Sequence, residues 1–156
     1  MMKTPMLFNR SVFQVKVGGA ETTDEIVASL GSPFDKLINR FNFPLKPRET
    51  LRLDKLEVID PDKKFSFFDC SAILSEAGLL TPSYEHAIRL AQQYKRVSVS
   101  VKKPYLVFPH EPWWDSFGSG RLIYLYRYPG SLGLGLQYHG HLFDNNCVVV
   151  GVRSHR

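Results

Sequence analysis

Five histidines, two cysteines and one short run of acidic and aromatic residues hold most of the chemistry this chain could do. His139 and His141 flank Gly140. On a β-strand, side chains two apart share a face and stand about 7 Å from each other. Two imidazoles so placed can share a metal ion if His110, Glu111 or Asp115 supplies a third ligand. An open fourth position would then hold an activated water for hydrolysis. No C-x-x-C or H-E-x-x-H companion accompanies the pair, so the spacing stands alone. Without metal, His110 and Glu111 could serve as general base and acid near His139, with Asp144 orienting a histidine. Cys147 opens a run of valines, a setting that leaves a thiol inert rather than nucleophilic.

The aromatics offer a different chemistry. Trp113, Trp114 and Phe117 lie in a stretch broken by Pro112, Gly118 and Gly120, which reads as a loop. Loop aromatics stack on bases or anchor a protein partner, or they fold back onto the core, the commoner fate of large apolar side chains. Tyr124, Tyr126 and Tyr128 alternate with Ile123 and Leu125. If the aliphatic pair faces the core, a tyrosine ladder faces outward, with Arg121, Arg127, Lys102 and Lys103 close in sequence. Such a surface could stack single-stranded bases and hold phosphates. In the competing arrangement, helices pack over the tyrosines. Residues 130–135 are glycine-rich but lack the lysine and the strand–loop–helix context of a phosphate loop, so no cofactor is expected.

Charge is unevenly distributed. Residues 1–85 hold 11 Lys/Arg against 12 Asp/Glu, and residues 86–156 hold 9 against 3. The basic second half could attract nucleic acid or an acidic protein surface, or it could simply keep the chain in solution. The two cysteines sit in unrelated contexts and read as reduced, buried thiols. No stretch approaches the roughly 18 consecutive apolar residues that span a membrane. The first 17 residues have no apolar run of a signal peptide. The expected setting is therefore cytoplasmic and away from membranes.

Positioning these residues falls to a simple series of elements. Phe13, Val15 and Val17 alternate with polar neighbours as a strand over 11–17. Thr22 and Glu25 form a capping box for a helix that stops at Gly31. Ser32-Pro33 suits the start of a second helix, with Phe34, Leu37, Ile38 and Phe41 as its apolar stripe. A strand over 51–59, a turn at 60–63 and a short strand over 65–68 predict a hairpin. Asp69 can cap a helix running to Ala77, with Gly78 as its stop. After Thr81-Pro82 comes the clearest helix. Tyr84, Ala87, Ile88, Ala91 and Tyr94 make its dry face; Glu85, His86, Arg89, Gln92 and Gln93 make its wet one.

Strands follow over 97–101, 104–108, 121–128, 132–142 and 147–153. In the fourth, Leu132, Leu134 and Leu136 share a face, and Gly133, Gly135, Gln137, His139 and His141 share the other. A three-residue loop over 144–146 would set Leu142 opposite Val148 and pair leucines with valines. Together these elements predict one α+β domain over 1–156, with a mainly antiparallel sheet of five or more strands and about four short helices on one face.

The function expected from this reading is non-enzymatic binding of nucleic acid or an acidic protein. Trp113, Trp114, Tyr124, Tyr126, Arg121 and Arg127 would be the contact residues. A small hydrolase built on His139 and His141, with or without metal, is the alternative.

Overall fold

The computed structural model describes residues 11–94, 103–129 and 131–155. The predicted strand over 97–101 lies outside these residues. The architecture is α+β: a curled eight-stranded sheet with three helices among the described residues. The strands are β1 (Val12–Gly19), β2 (Arg48–Ile59), β3 (Leu79–Leu80), β4 (Tyr105–Val107), β5 (Trp113–Trp114), β6 (Gly120–Tyr128), β7 (Ser131–Tyr138) and β8 (Cys147–Arg153). The helices are α1 (Thr23–Ser29), α2 (Phe67–Glu76) and α3 (Tyr84–Gln93). The sheet runs β1-β2-β8-β4-β6-β5, with β7 also on β6 and β3 also on β8. Every pair is antiparallel except β4 with β8.

Helices cover both sides of this sheet rather than one. Val15, Leu56, Ile123, Leu125, Val148 and Val150 belong to a core shared with α1 and α3. The residues between them in the strands, Leu122, Val107 and Val149, belong to a second core closed by Cys70, Ile73 and Leu74 of α2. Both cysteines are free and buried.

The expected leucine–valine hairpin between β7 and β8 does not form. β7 pairs along its whole length with β6, and β8 lies between β2 and β4. Residues Cys147 to Val152 are buried on both faces of their strand. Six successive buried residues can be satisfied only in the middle of a sheet covered on both sides.

Two predicted elements are replaced by turns and bridges. No helix spans 32–41. The Asp35 carboxylate accepts the Leu37 amide, and Asn39 Oδ1 accepts the amides of Phe41 and Asn42. These side chains capture the amides a helix would need. Phe34 instead bridges to Leu134, the Leu134 amide donates to the Pro33 carbonyl, and the Ser32 hydroxyl donates to Leu132 O. The outer edge of β7 is thereby occupied. The 51–68 hairpin is also absent: the turn at Asp60–Asp62 forms, but Phe65 pairs with Phe143. Ser66 rather than Asp69 is the N-cap of α2, and the Asp69 carboxylate accepts the Ser66 amide at 2.8 Å.

The capping box of α1 and the dry face of α3 form as read. The wet face of α3 does not stay wet. His86 and Arg89 are buried, because this face abuts β1 and β2. His86 Nε2 lies 2.7 Å from Asp54 Oδ2, and Asp54 also accepts from Arg52 at 2.8 and 3.0 Å and from His155 at 2.8 Å.

Along β1, side chains of α3 act as a neighbouring strand would. The Gln93 carboxamide accepts the Lys16 amide and donates to the Lys16 carbonyl, both at 2.8 Å. Glu85 accepts the Gly18 amide, Arg89 donates to the Gly18 carbonyl, and the Tyr94 hydroxyl donates to Gln14 O.

Candidate functional site

Alternation along β6 decides which predicted contact residues share a face. Ile123 and Leu125 are fully buried under α3, as expected from the pattern. Tyr124 and Tyr126 therefore point the other way, toward the side that α2 covers only in part. Both are half-buried, and Tyr128 is exposed. Tyr105 of β4 sits opposite Tyr126, with its ring 6.1 Å from that of Tyr124. Arg121 and Arg127 alternate with the tyrosines and leave the strand on the opposite side. Sequence proximity had set them beside the rings; the pleat separates them.

The tyrosine rings have a fixed seat. Tyr126 pairs with Gly133 and Tyr124 with Gly135, and a Cβ at either glycine would fall inside the facing ring. The bare face of β7 read from the sequence is thus filled by the phenols of β6. Burial pushes both tyrosine pKa values up, so the hydroxyls remain protonated and can donate.

Two hollows meet at Tyr105 and Tyr124. One, of about 240 Å³, continues over Val107, Cys147 and Gln137 to His141, Asp144 and Asn146. The other runs along Tyr126 and Gly135 to Phe34 and Asp35. Burial pushes the Cys147 thiol up to about 11, so it lines the first hollow as an uncharged group. Lys103 is held by Asp60 at 3.3 Å, by Asp62 at 3.2 Å and by the Asn145 carbonyl.

The segment read as a loop around the tryptophans is a hairpin: Trp113 pairs with Arg121 and Trp114 with Gly120. Asp115 organises its turn. Its Oδ1 accepts the amides of Phe117 and Ser119, and its Oδ2 binds Arg121 Nε at 3.0 Å. The Ser119 amide, reinforced by Arg121, holds the Asp115 carboxyl below its ordinary range. The two tryptophans part company across the strand. Trp113 packs on Phe43 in the core, at 5.5 Å between rings. Trp114 is 56% exposed, and Phe117 at the turn is 91% exposed.

The candidate catalytic histidines do not converge. β7 ends at Tyr138, and Gly140 lies in a turn, so His139 and His141 do not share a strand face. His139 sits among the rings of Trp114, Phe67, Phe68 and Tyr138, with Nδ1 3.2 Å from Gly120 O. His141 is exposed against Phe143. His110 is buried and accepts the Ile123 amide at Nε2. Its proton therefore lies on Nδ1, which donates to Glu111 O at 2.7 Å. Burial lowers its pKa to about 4 despite that bond, so it is a neutral structural link. The Glu111 side chain faces solvent. Among the described residues no group of three or more His, Cys, Asp or Glu is arranged to hold a metal ion. Nor is any helix among them long and apolar enough to cross a membrane.

One constellation was not legible in the sequence. Ser83 Oγ lies 3.1 Å from His86 Nδ1, and His86 Nε2 faces Asp54. This is the order of an acyl-transfer relay. The Ser83 amide already donates to the same Nδ1 at 2.9 Å, as the cap of α3. Burial pushes the Asp54 carboxyl up, and the bonds from Arg52, His86 and His155 outweigh it, leaving its pKa at about 2. The cluster is saturated from within and locks α3 onto β2. The residues missed around the tyrosines are Tyr105, Gln137 and Asn146. Their only signal was Tyr105 in a short strand beside basic residues. No protein-family model matches this chain, and neither does any curated protein or solved structure.

Proposed function

We propose that this chain is a non-enzymatic binding protein that receives a segment of a protein partner on the tyrosine side of its sheet. The observation that carries this reading is the pair of hollows joined at Tyr105 and Tyr124, on a part of the sheet that no helix covers among the described residues. The rings rest on glycines and are already ordered, so little side-chain freedom is lost on binding. Tyrosine and tryptophan are the residues that most often carry interface energy, and Trp114 stands exposed on the adjoining hairpin. A nucleic acid would need cations beside the rings to neutralise phosphates. Among the described residues, Arg121 and Arg127 leave β6 on its other side and Lys103 is engaged by carboxylates; Lys102 lies outside them. A protein segment is therefore the better fit than a phosphate chain.

The test is selection of peptides from a random library on the immobilised protein, with labelled single-stranded DNA and RNA measured in parallel by anisotropy at low and moderate salt. The expected result is peptides that bind the native protein and lose at least about tenfold in affinity with Tyr124→Ala, as for an interface hot spot. Folding of the variant is checked by circular dichroism, and Tyr124→Ser serves as a second variant. Recovery of no Tyr124-dependent peptide would overturn the reading. Tyr126-dependent oligonucleotide binding that weakens steeply with salt would replace it with the nucleic-acid one.

A further inference from the structure

Resting on that reading, we infer that the hollow between Tyr124 and the 141–147 turn takes an arginine side chain of the partner. Its volume, about 240 Å³, lies below the roughly 300–1,000 Å³ of pockets that enclose whole small molecules. That is the scale of one inserted side chain. Its lining includes Tyr105 and Tyr124 together with Val107 and the uncharged Cys147. Aromatic faces attract cations through the negative charge over the ring.

The carboxylates point the same way. Asp144 lines this hollow, and Asp35 lines the second hollow on the far side of the same two tyrosines. Among the described residues nearby, the cation Lys103 is outnumbered by Asp60 and Asp62. Lys64 reaches Asp144 only at 4.0 Å, with both side chains about two-thirds exposed. An incoming cation can take over so loose a pairing. The 144–146 turn already receives one cation from within the chain, since Lys103 donates to the Asn145 carbonyl.

Arginine fits better than the other cations. A quaternary ammonium uses rings alone, whereas this hollow also offers the oxygens of Asp144 and Asn146. A guanidinium stacks flat on a ring and donates through a fixed fork, which a lysine ammonium cannot do. The overall surplus of basic residues predicted an acidic partner. At this hollow the local charge is reversed.

The test is titration of the full-length, ¹⁵N-labelled protein with N-acetyl-arginine methylamide, followed by amide shifts. The citrulline analogue, of the same shape and uncharged, is titrated alongside. Saturable shifts at Tyr124, Asn146 and Cys147 are expected with the arginine compound. About fivefold weaker binding is expected for citrulline, and again for arginine with Asp144→Asn, in keeping with one cation–aromatic and one ionic contact. Asp144 is exposed, so the variant tests recognition rather than folding. Absence of saturable shifts, equal binding of citrulline, or undiminished binding by Asp144→Asn would overturn the inference. Tyr124-dependent peptides without arginine would do so too, while leaving the binding reading in place.

Discussion

Two regions of this molecule hold its concentrated polar and aromatic chemistry, and they are built on opposite plans. Beneath α3, Asp54, His86 and Arg89 are buried, and each charged or polar head meets partners from its own chain. On the tyrosine side, rings are ordered by their own glycines yet keep one surface open. The first region has the residue types of catalysis and the wiring of a structural lock. The second has its titratable groups spread around an open hollow and the shape of a receptor. Residue type alone therefore misleads; what separates the two is whether the partners are already supplied from within.

The contrast is testable, beginning with the lock. Asp54→Ala should cost about 3–5 kcal/mol, because it strands Arg52, His86 and His155 around an emptied buried site. Urea unfolding measures this, and arginine binding per folded molecule should be unchanged. Acid probes a second internal link. His110 titrates at about 4 when folded against 6.5 when unfolded. Its contribution is complete above pH 6.5 and is lost as pH falls toward 4, since the unfolded chain takes up the proton first. That amounts to roughly 3 kcal/mol, and His110→Gln should flatten this part of the stability profile.

On the open side the effects on stability should be smaller. Gly133→Ala forces Tyr126 from its seat and should cost about 1–3 kcal/mol, the usual range for overpacking. It should also reshape the hollow beside Asp35, which amide shifts around Gly135 would report. Trp114→Ala should change stability by less than about 0.5 kcal/mol, as for an exposed site. A loss comparable to that of Asp54→Ala would mean that the hairpin is part of the lock.

Local signals in the sequence carried well where the chain's own neighbours decide the outcome. The Thr22–Glu25 box, the β1 alternation and the dry face of α3 all appear where their spacing put them. Ile123 and Leu125 correctly pointed to the core and thereby oriented the tyrosines. Signals failed where distant segments compete for the same backbone. The 132–142 and 147–153 strands looked complementary, but β8 has buried residues on both faces and is claimed by β2 and β4. The valine run was itself the clue, since an unbroken apolar stretch suits a central strand better than one arm of a hairpin. His86 and Arg89 looked wet because helical periodicity sees only one helix; Asp54 of β2 and the edge of β1 made them dry. Arg121 and Arg127 looked like neighbours of the tyrosines because closeness in sequence ignores the pleat.

The side chains that line β1 have a consequence for how copies of this chain meet. A strand with bare amides and carbonyls is a template on which another molecule can add its own strand. Gln93 gives Lys16 the donor and the acceptor of a peptide group, so the position is taken. The guard is the last turn of a helix, and helix ends fray at far lower free energy than cores unfold. Self-association should therefore be governed by the detachment of Gln93 and Tyr94. Conditions that loosen this one turn would make the protein adhesive while it is still folded.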